Sequence, residues 1–582
     1  MSLTVIDWGI MAAYLAVSLF IGLYFRKSAG KSLADFFLGG RNIPWAIAGL
    51  SMVATTFAAD TPLAVTELIR QKGISGNWLW WNMLMGGMLT TFFFARLWRR
   101  ANIMTEVEFL ELRYGGRYAA WFRGFKAVYL GFFMNVLVIA WVNLAMVSIL
   151  QVFFGLSFAL AVWYVAAIML IATLYSSLSG LIGVAVTDAF QFFIAIGGAI
   201  MLAVYVIHSE DIGGIAGLKN KLPPEALDFF PRFSNHSAVQ ATGMFTITIG
   251  SFLAYLGMQW WSSWYPGAEP GGGGYIAQRM MSTRSEKDSI KATLLFQIIH
   301  YVVRPWPWIL VALATMVLYP QLSETELRNG YVMAVKEFLP SGWRGLMLVA
   351  MVAAYMSTIS TQLNWGSSYI VNDLYRRFWG QNKNAKHLVQ VSRITTVLLM
   401  VAGLYVTTLV TSISGVWSFL LECGAGLGLV LILRWYWWRI SLWSELTATL
   451  SPFIYYFLSK YVFFWVFPQS FFFTVGMTTI TWLVVTYLTP PESKETLLHF
   501  VHRVNPNGAW APVYRLAGLK KPSNKIVRLT LVSWLSAVIL AYALLFFIVK
   551  WLFFEYNEAM IWLFVAIIGL AGLIWSMRKM SW

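Results

Sequence analysis

A chain of 582 residues that is 59% hydrophobic and only 12% charged, with a mean hydropathy of +0.66, lies far outside the composition of soluble domains and reads as an integral membrane protein. Its formal net charge of +17 comes from Lys and Arg in short loops between apolar runs, which argues against an extended nucleic-acid-binding domain. The only cysteine, Cys423, sits in an apolar run, so disulfides and cysteine-built metal sites are excluded.

Fifteen apolar runs are long enough to cross a bilayer. The first eight are Val5–Phe25, Trp45–Leu68, Trp78–Trp98, Ala127–Phe154, Phe158–Leu178, Val184–Ile207, Ala241–Tyr265 and Ala292–Leu318. The rest are Leu346–Val371, Leu388–Val410, Val416–Trp437, Leu442–Phe467, Phe471–Leu488, Leu529–Val549 and Met560–Ser576. No small-residue cleavage site follows the first run, so it is expected to remain as a first helix. Loops after odd-numbered runs are basic, as in Arg26, Lys27, Lys31 and Arg41 or Arg376, Arg377, Lys383 and Lys386. Those after even-numbered runs are poorer in Lys and Arg or offset by acids, as at Glu210/Asp211 and Glu555/Glu558. This alternation predicts a multi-pass protein of a bacterial-type plasma membrane, with its N-terminus outside and its C-terminus cytoplasmic.

Two runs are interrupted. The second contains Ala58-Ala59-Asp60-Thr61-Pro62 in mid-span, and the seventh ends in Trp264-Tyr265-Pro266-Gly267-Ala268-Glu269-Pro270 followed by Gly271–Gly274. Proline and glycine free backbone carbonyls and amides near the membrane middle. The two breaks lie five helices apart and run in opposite directions. That is the signature of an inverted repeat with a binding site at the broken pair, although two unrelated proline kinks would look alike. The predicted organisation is an extra helix and loop (1–42), a first repeat of helices two to six (43–207) and an extracellular loop (208–240). A second repeat of helices seven to eleven (241–441) and C-terminal helices twelve to fifteen (442–582) complete it.

The ninth run carries Ser357, Ser360, Thr361, Asn364 and Ser368 at helical spacing, a polar stripe that must face protein or a water-filled path. Hydrogen bonding between helices is one use for it and ion binding another. The adjacent hydroxyls of Ser357 and Thr358, the Ala354 carbonyl and carbonyls in Ala54-Thr55-Thr56-Phe57 form a set of neutral oxygens. Such a set suits sodium better than a divalent ion. Asp188, at the edge of the sixth run, is either a functional carboxylate or a charge favoured by the helix N-terminus.

Ala353–Tyr375, with its Ala-x-x-Ser-Thr-x-Ser-x-Gln-Leu pattern and terminal Asp373-Leu374-Tyr375, resembles the corresponding helix of the sodium/solute symporter family. The likeness is greatest to its sodium/proline members, and the sodium/glucose symporters are also similar. Phe36–Arg41, Thr187-Asp188-x-x-Gln191 and Gln278-Arg279 resemble further landmarks in family order. The resemblance covers helices one to eleven and weakens beyond Leu442. It implies an all-α LeuT-like five-plus-five core behind one extra N-terminal helix, working by alternating access, with sodium ions, one or two, as the only cofactor. Carried over by position, the main sodium site would use the carbonyls of Ala54, Phe57 and Ala354 and the hydroxyls of Ser357 and Thr358. A second site found in some members would use Asp188, Ser360 and Thr361. Around Trp260–Gly274 the sequence departs from the sugar- and proline-carrying members, so the solute stays unnamed.

The expected function is sodium-coupled symport of a small polar solute: a sugar, a sugar acid or an amino-acid-like molecule. A proton-coupled relative should lack the Ser357/Thr358 pair or carry a carboxylate there. A membrane transferase would need a clustered nucleophile and base, whereas the six histidines are scattered. A transporter-like sensor would need a signalling domain longer than Pro490–Lys525. Beyond the bilayer and the solute, no nucleic acid or obligate protein partner is implied. Asp60, Thr61, Glu269, His300 and Arg304 are the substrate-binding candidates. Counting from Arg279, His300 matches a substrate-contacting lysine of sugar-carrying relatives. Arg304, one turn on, would either lock the bundle with Glu269 or Asp60, or hold a carboxylate of the solute.

Overall fold

A computed structural model of the protein describes residues 3–25, 38–56, 58–103, 105–176, 181–234, 237–241 and 245–580. Each of the fifteen apolar runs falls on helix. Eight helices among the described residues are long and apolar enough to cross a membrane unaided, and ten if two bent pairs each count as one span. Val5–Phe25 and Phe158–Ser176 are further helices of 21 and 19 residues, while the third, seventh and twelfth segments are interrupted.

The second helix breaks where expected. Trp45–Thr55 and Asp60–Lys72 meet at 56°, with Asp60 in the first turn of the second half, where the helix dipole favours a carboxylate. The seventh helix starts later than its apolar run. Ser237–Ala241 pairs with Phe233–Ser234 as a small antiparallel hairpin. Helix begins only at Ile249, where the Thr248 side chain accepts a hydrogen bond from Ser251 N at 3.0 Å. It runs to Ser262, gives way to extended chain, and resumes as the half-helix Gly274–Ser282.

A third break was not legible as one. The eleventh helix is bent by 53° between Ile413–Cys423 and Leu427–Tyr436. The physical reason is contact between breaks: Gly426 N donates to Ser262 O at 2.8 Å and Trp264 N to Gly424 O at 3.3 Å. Backbone groups freed in the eleventh helix thus satisfy those freed in the seventh, as hydrocarbon surroundings demand. Glycine makes the approach possible, because a Cβ on Gly428 would lie 2.4 Å from the Trp261 carbonyl oxygen.

Other contacts set the frame. A Cβ on Gly49 would lie 2.8 Å from the Ala292 carbonyl, so the first half of the second helix lies directly on the eighth. Asn524–Leu552 and Tyr556–Lys579 form a hairpin so close that a Cβ on Gly569 would meet Leu540 N at 2.8 Å. The hairpin docks on the third helix through Trp534 Nε1 to Met85 O (3.0 Å) and Tyr542 OH to Trp81 O (2.9 Å). The result is the all-helical, LeuT-like core expected of an inverted repeat, buttressed by C-terminal helices.

Gly428→Val should force the two breaks apart and destabilise the fold by at least ~1–3 kcal/mol, the usual cost of overpacking. Gly476→Ala, where a Cβ meets nothing within 4 Å, should leave the melting temperature of the purified protein unchanged. Equal melting of both variants would refute the contact between breaks.

Candidate functional site

The two broken helices enclose a cavity of about 90 Å³ at the centre of the bundle. Thr55, Thr56, Asp60 and Thr61 line it from the second helix, and Tyr265–Ala268 from the seventh. Trp141 comes from the fourth, His300 and Tyr301 from the eighth, Thr358 and Gln362 from the ninth, and Trp417 from the eleventh. Asp60 Oδ2 accepts from Trp141 Nε1 at 2.9 Å, while its buried Oδ1 has no hydrogen-bond partner. Trp141 and Tyr265 stack at 6.3 Å with 12° between their planes, and Trp417 meets Tyr265 edge-on.

Arg304 lies behind this wall. It is fully buried and donates to Val53 O at 3.1 Å and Thr56 O at 3.2 Å, the carbonyls that end the first half of the second helix. Its guanidinium lies over the Trp308 ring at 5.0 Å and feels the charge of Asp60. Nη2 is 2.8 Å from His300 Nδ1, which also lies 3.0 Å from the Thr56 hydroxyl. Because a guanidinium only donates, Nδ1 is the unprotonated nitrogen of that ring. Arg304 therefore serves as a cationic cap on a broken helix, the charge preferred at a C-terminus.

Beside the break, Asp188 ties the sixth helix to the second and the ninth. Its Oδ1 accepts from Ser357 Oγ at 3.0 Å and its Oδ2 from Ser51 at 3.2 Å and Thr55 at 3.5 Å. Arg279, on Gly274–Ser282, reaches the same hydroxyls, at 3.4 Å to Ser51 and 3.1 Å to Thr55. Ser360 Oγ turns back to the Ser357 carbonyl at 2.9 Å. Thr361 is half-buried on the same helix, and Asn364 is exposed, so the stripe read from the sequence is not buried along its whole length. Thr358 is buried, faces the cavity, and its hydroxyl has no hydrogen-bond partner. Ala54 and Ala354 are buried nearby on their helices, and Phe57 lies outside the described residues.

Glu269 turns away from the cavity. A Cβ on Gly273 would lie 2.9 Å from Glu106 Oε1 and 3.0 Å from Glu269 Cγ, so the two acids flank one glycine. Gly274 N, opening the half-helix, donates to Glu106 Oε2 at 2.6 Å. Sequence reasoning passed over Glu106, Trp141, Gln362, Tyr265 and Trp417. Gln362 stood in the quoted motif, but nothing in a tryptophan-rich sequence of 30 Trp residues separates Trp141 and Trp417 from lipid-facing rings.

Paired helix breaks around a small cavity, with polar side chains converging on it, define a secondary transporter of the inverted-repeat type. Residues 36–446 match the sodium:solute symporter family, and the chain belongs to that family. The chain is 25% identical to the sodium/sialic acid symporter of Proteus mirabilis, over 71% of this chain and 78% of that protein. It is 24% identical to the sodium/glucose cotransporter of Vibrio parahaemolyticus (72% and 78%) and 23% identical to the high-affinity proline transporter of Bacillus subtilis (73% and 86%). Its fold matches the solved substrate-bound, outward-open structure of a Na+-coupled sialic acid symporter with a TM-score of 0.66. That match covers 84% of this chain and 99% of the other at 21% identity. The protein is thus a transporter rather than an enzyme, and the proton-coupled alternative finds no support among these relatives.

Replacing Arg304 by methionine should lower thermal stability with or without solute. Two carbonyls lose their donors, at ~1–3 kcal/mol for each buried group left unpaired. A variant that melts like the parent but loses affinity for acidic solutes alone would instead assign the guanidinium to the solute.

Proposed function

We propose that the protein couples inward movement of sodium to uptake of a small polar organic solute by alternating access. The observation that carries this reading is the buried, unpartnered hydroxyl of Thr358, set against the broken second helix. A buried hydroxyl without a partner is costly, and a small hard cation is the ligand that neutral oxygens suit. The ion would be held by the carbonyls of Ala54, Phe57 and Ala354 and the hydroxyls of Ser357 and Thr358. Ser357 donates its proton to Asp188, which leaves its oxygen lone pairs free for a cation. The solute would occupy the adjacent cavity against Asp60 and Thr61, with His300 at its edge. In this reading the N-terminus is outside and the C-terminus cytoplasmic, in a bacterial-type plasma membrane.

The ion and the solute share one break. Thr55, Thr56 and Asp60 line the cavity, and Ala54 stands one residue before them. Ordering this segment for one ligand therefore lowers the cost of ordering it for the other, which is positive coupling and is reciprocal.

In proteoliposomes, Thr358→Ala should raise the sodium concentration for half-maximal uptake roughly tenfold, in line with loss of a ligand contact of about 1–3 kcal/mol. Membrane insertion should be unaffected. Sodium dependence unchanged in both Thr358→Ala and Ser357→Ala would remove the site.

A second ion held by Asp188, Ser360 and Thr361 requires the Ser360 hydroxyl oxygen to face Asp188. It predicts two sodium ions per solute, falling to one in Ser360→Ala. A measured ratio of one in the parent protein would exclude it.

A further inference from the structure

The cavity is built to reject acids. Asp60 is the only carboxylate lining it, and no lysine or arginine does so among the described residues. Two guanidiniums reach its lining residues from behind, Arg304 engaged by the Val53 and Thr56 carbonyls and Arg279 by the Ser51 and Thr55 hydroxyls. A half-helix N-terminus at mid-membrane would ordinarily offer a seat for an anionic solute group. Here both half-helix ends already hold a carboxylate: Asp60 sits in the first turn of Asp60–Lys72, and the amide of Gly274 donates to Glu106, with Glu269 packed alongside. A carboxylate entering the cavity would meet Asp60 and find the helix end already occupied.

What the cavity offers is acceptors and ring faces. Asp60 Oδ1 and Gln362 Oε1 are both buried without a hydrogen-bond partner, so a bound molecule should bring donors to them. Next to Asp60, Trp141, Tyr265 and Trp417 line the cavity with aromatic surface, which suits a cation and the apolar side of a sugar-like ring. Threonine hydroxyls at Thr55, Thr56 and Thr61 complete the polar side.

We propose that the solute is a small polyhydroxylated amine, its ammonium paired with Asp60 Oδ1, its hydroxyls reaching Gln362, and its carbon face lying on Trp141 and Tyr265. This rests on the symport reading for the identity of the cavity. It departs from the acidic solute that Arg304 suggested in the sequence alone.

The test compares three probes with one ring, glucosamine, glucose and glucuronate, by thermal shift of the purified full chain at neutral pH, in sodium and in potassium buffer. Glucosamine should stabilise the protein at concentrations at least about tenfold below glucose, the scale of a charged hydrogen bond. Glucuronate should give no shift, and Asp60→Asn should bring glucosamine to parity with glucose. Because the ranking is read on the parent protein, it stands even if Asp60→Asn fails to fold. Glucose or glucuronate matching glucosamine, no shift with any of the three, or a glucosamine preference that survives in Asp60→Asn would overturn the proposal. The same glucosamine shift in potassium as in sodium would defeat sodium coupling while leaving the amine preference intact.

Discussion

Backbone carbonyls and amides released inside a bilayer have no water to bind, and the structure depends on how those groups are met. The second helix meets the demand with Arg304, whose two donors reach the Val53 and Thr56 carbonyls. The seventh meets it with a third break, in the eleventh helix, through the Ser262–Gly426 and Trp264–Gly424 pairs, and with Glu106 at the Gly274 amide. These partners lie far along the chain from the groups they satisfy. Each break therefore fixes the placement of another helix as well as its own.

The same economy ties the polar side chains around the second helix to one another. Asp188 gathers Ser51, Thr55 and Ser357, and Arg279 reaches two of those hydroxyls from the half-helix that follows the seventh break. A change in the hydroxyls of the second helix is thereby felt at the sixth, seventh and ninth. A packed bundle has discrete arrangements rather than a continuum, and a polar hub shared by four helices couples the placement of each to the others.

The C-terminal helices act through the third. Trp534 and Tyr542 donate to backbone carbonyls at Met85 and Trp81, next to Trp80 and Met83 of the cavity wall. The hairpin is thus a brace for that wall. The helices Lys494–Val504 and Ala511–Leu516 grip the bundle elsewhere. Arg503 donates to Ala101 O at 3.0 Å and Trp510 Nε1 to Trp435 O at 2.9 Å.

Local chemistry made much of this protein legible from its residues alone. Apolar length marked the helical segments, Pro62 and the Pro266–Gly274 run marked two breaks, and the Ser357–Gln362 motif marked the family, since each signal resides in adjacent residues. The bend in the eleventh helix was not legible, because Gly424 and Gly426 break a helix only where another backbone waits to pair with them. Nor was the role of Arg304 legible. Its place one turn after His300 suggested a solute contact, and only tertiary packing set it against the carbonyls of a helix some 250 residues earlier, as the separation of 251 to Val53 shows. The composition of the cavity wall was decided in the same way. Trp141, Gln362 and Trp417 come from three separate helices, and which face of an apolar helix meets the centre rather than lipid depends on what packs around it.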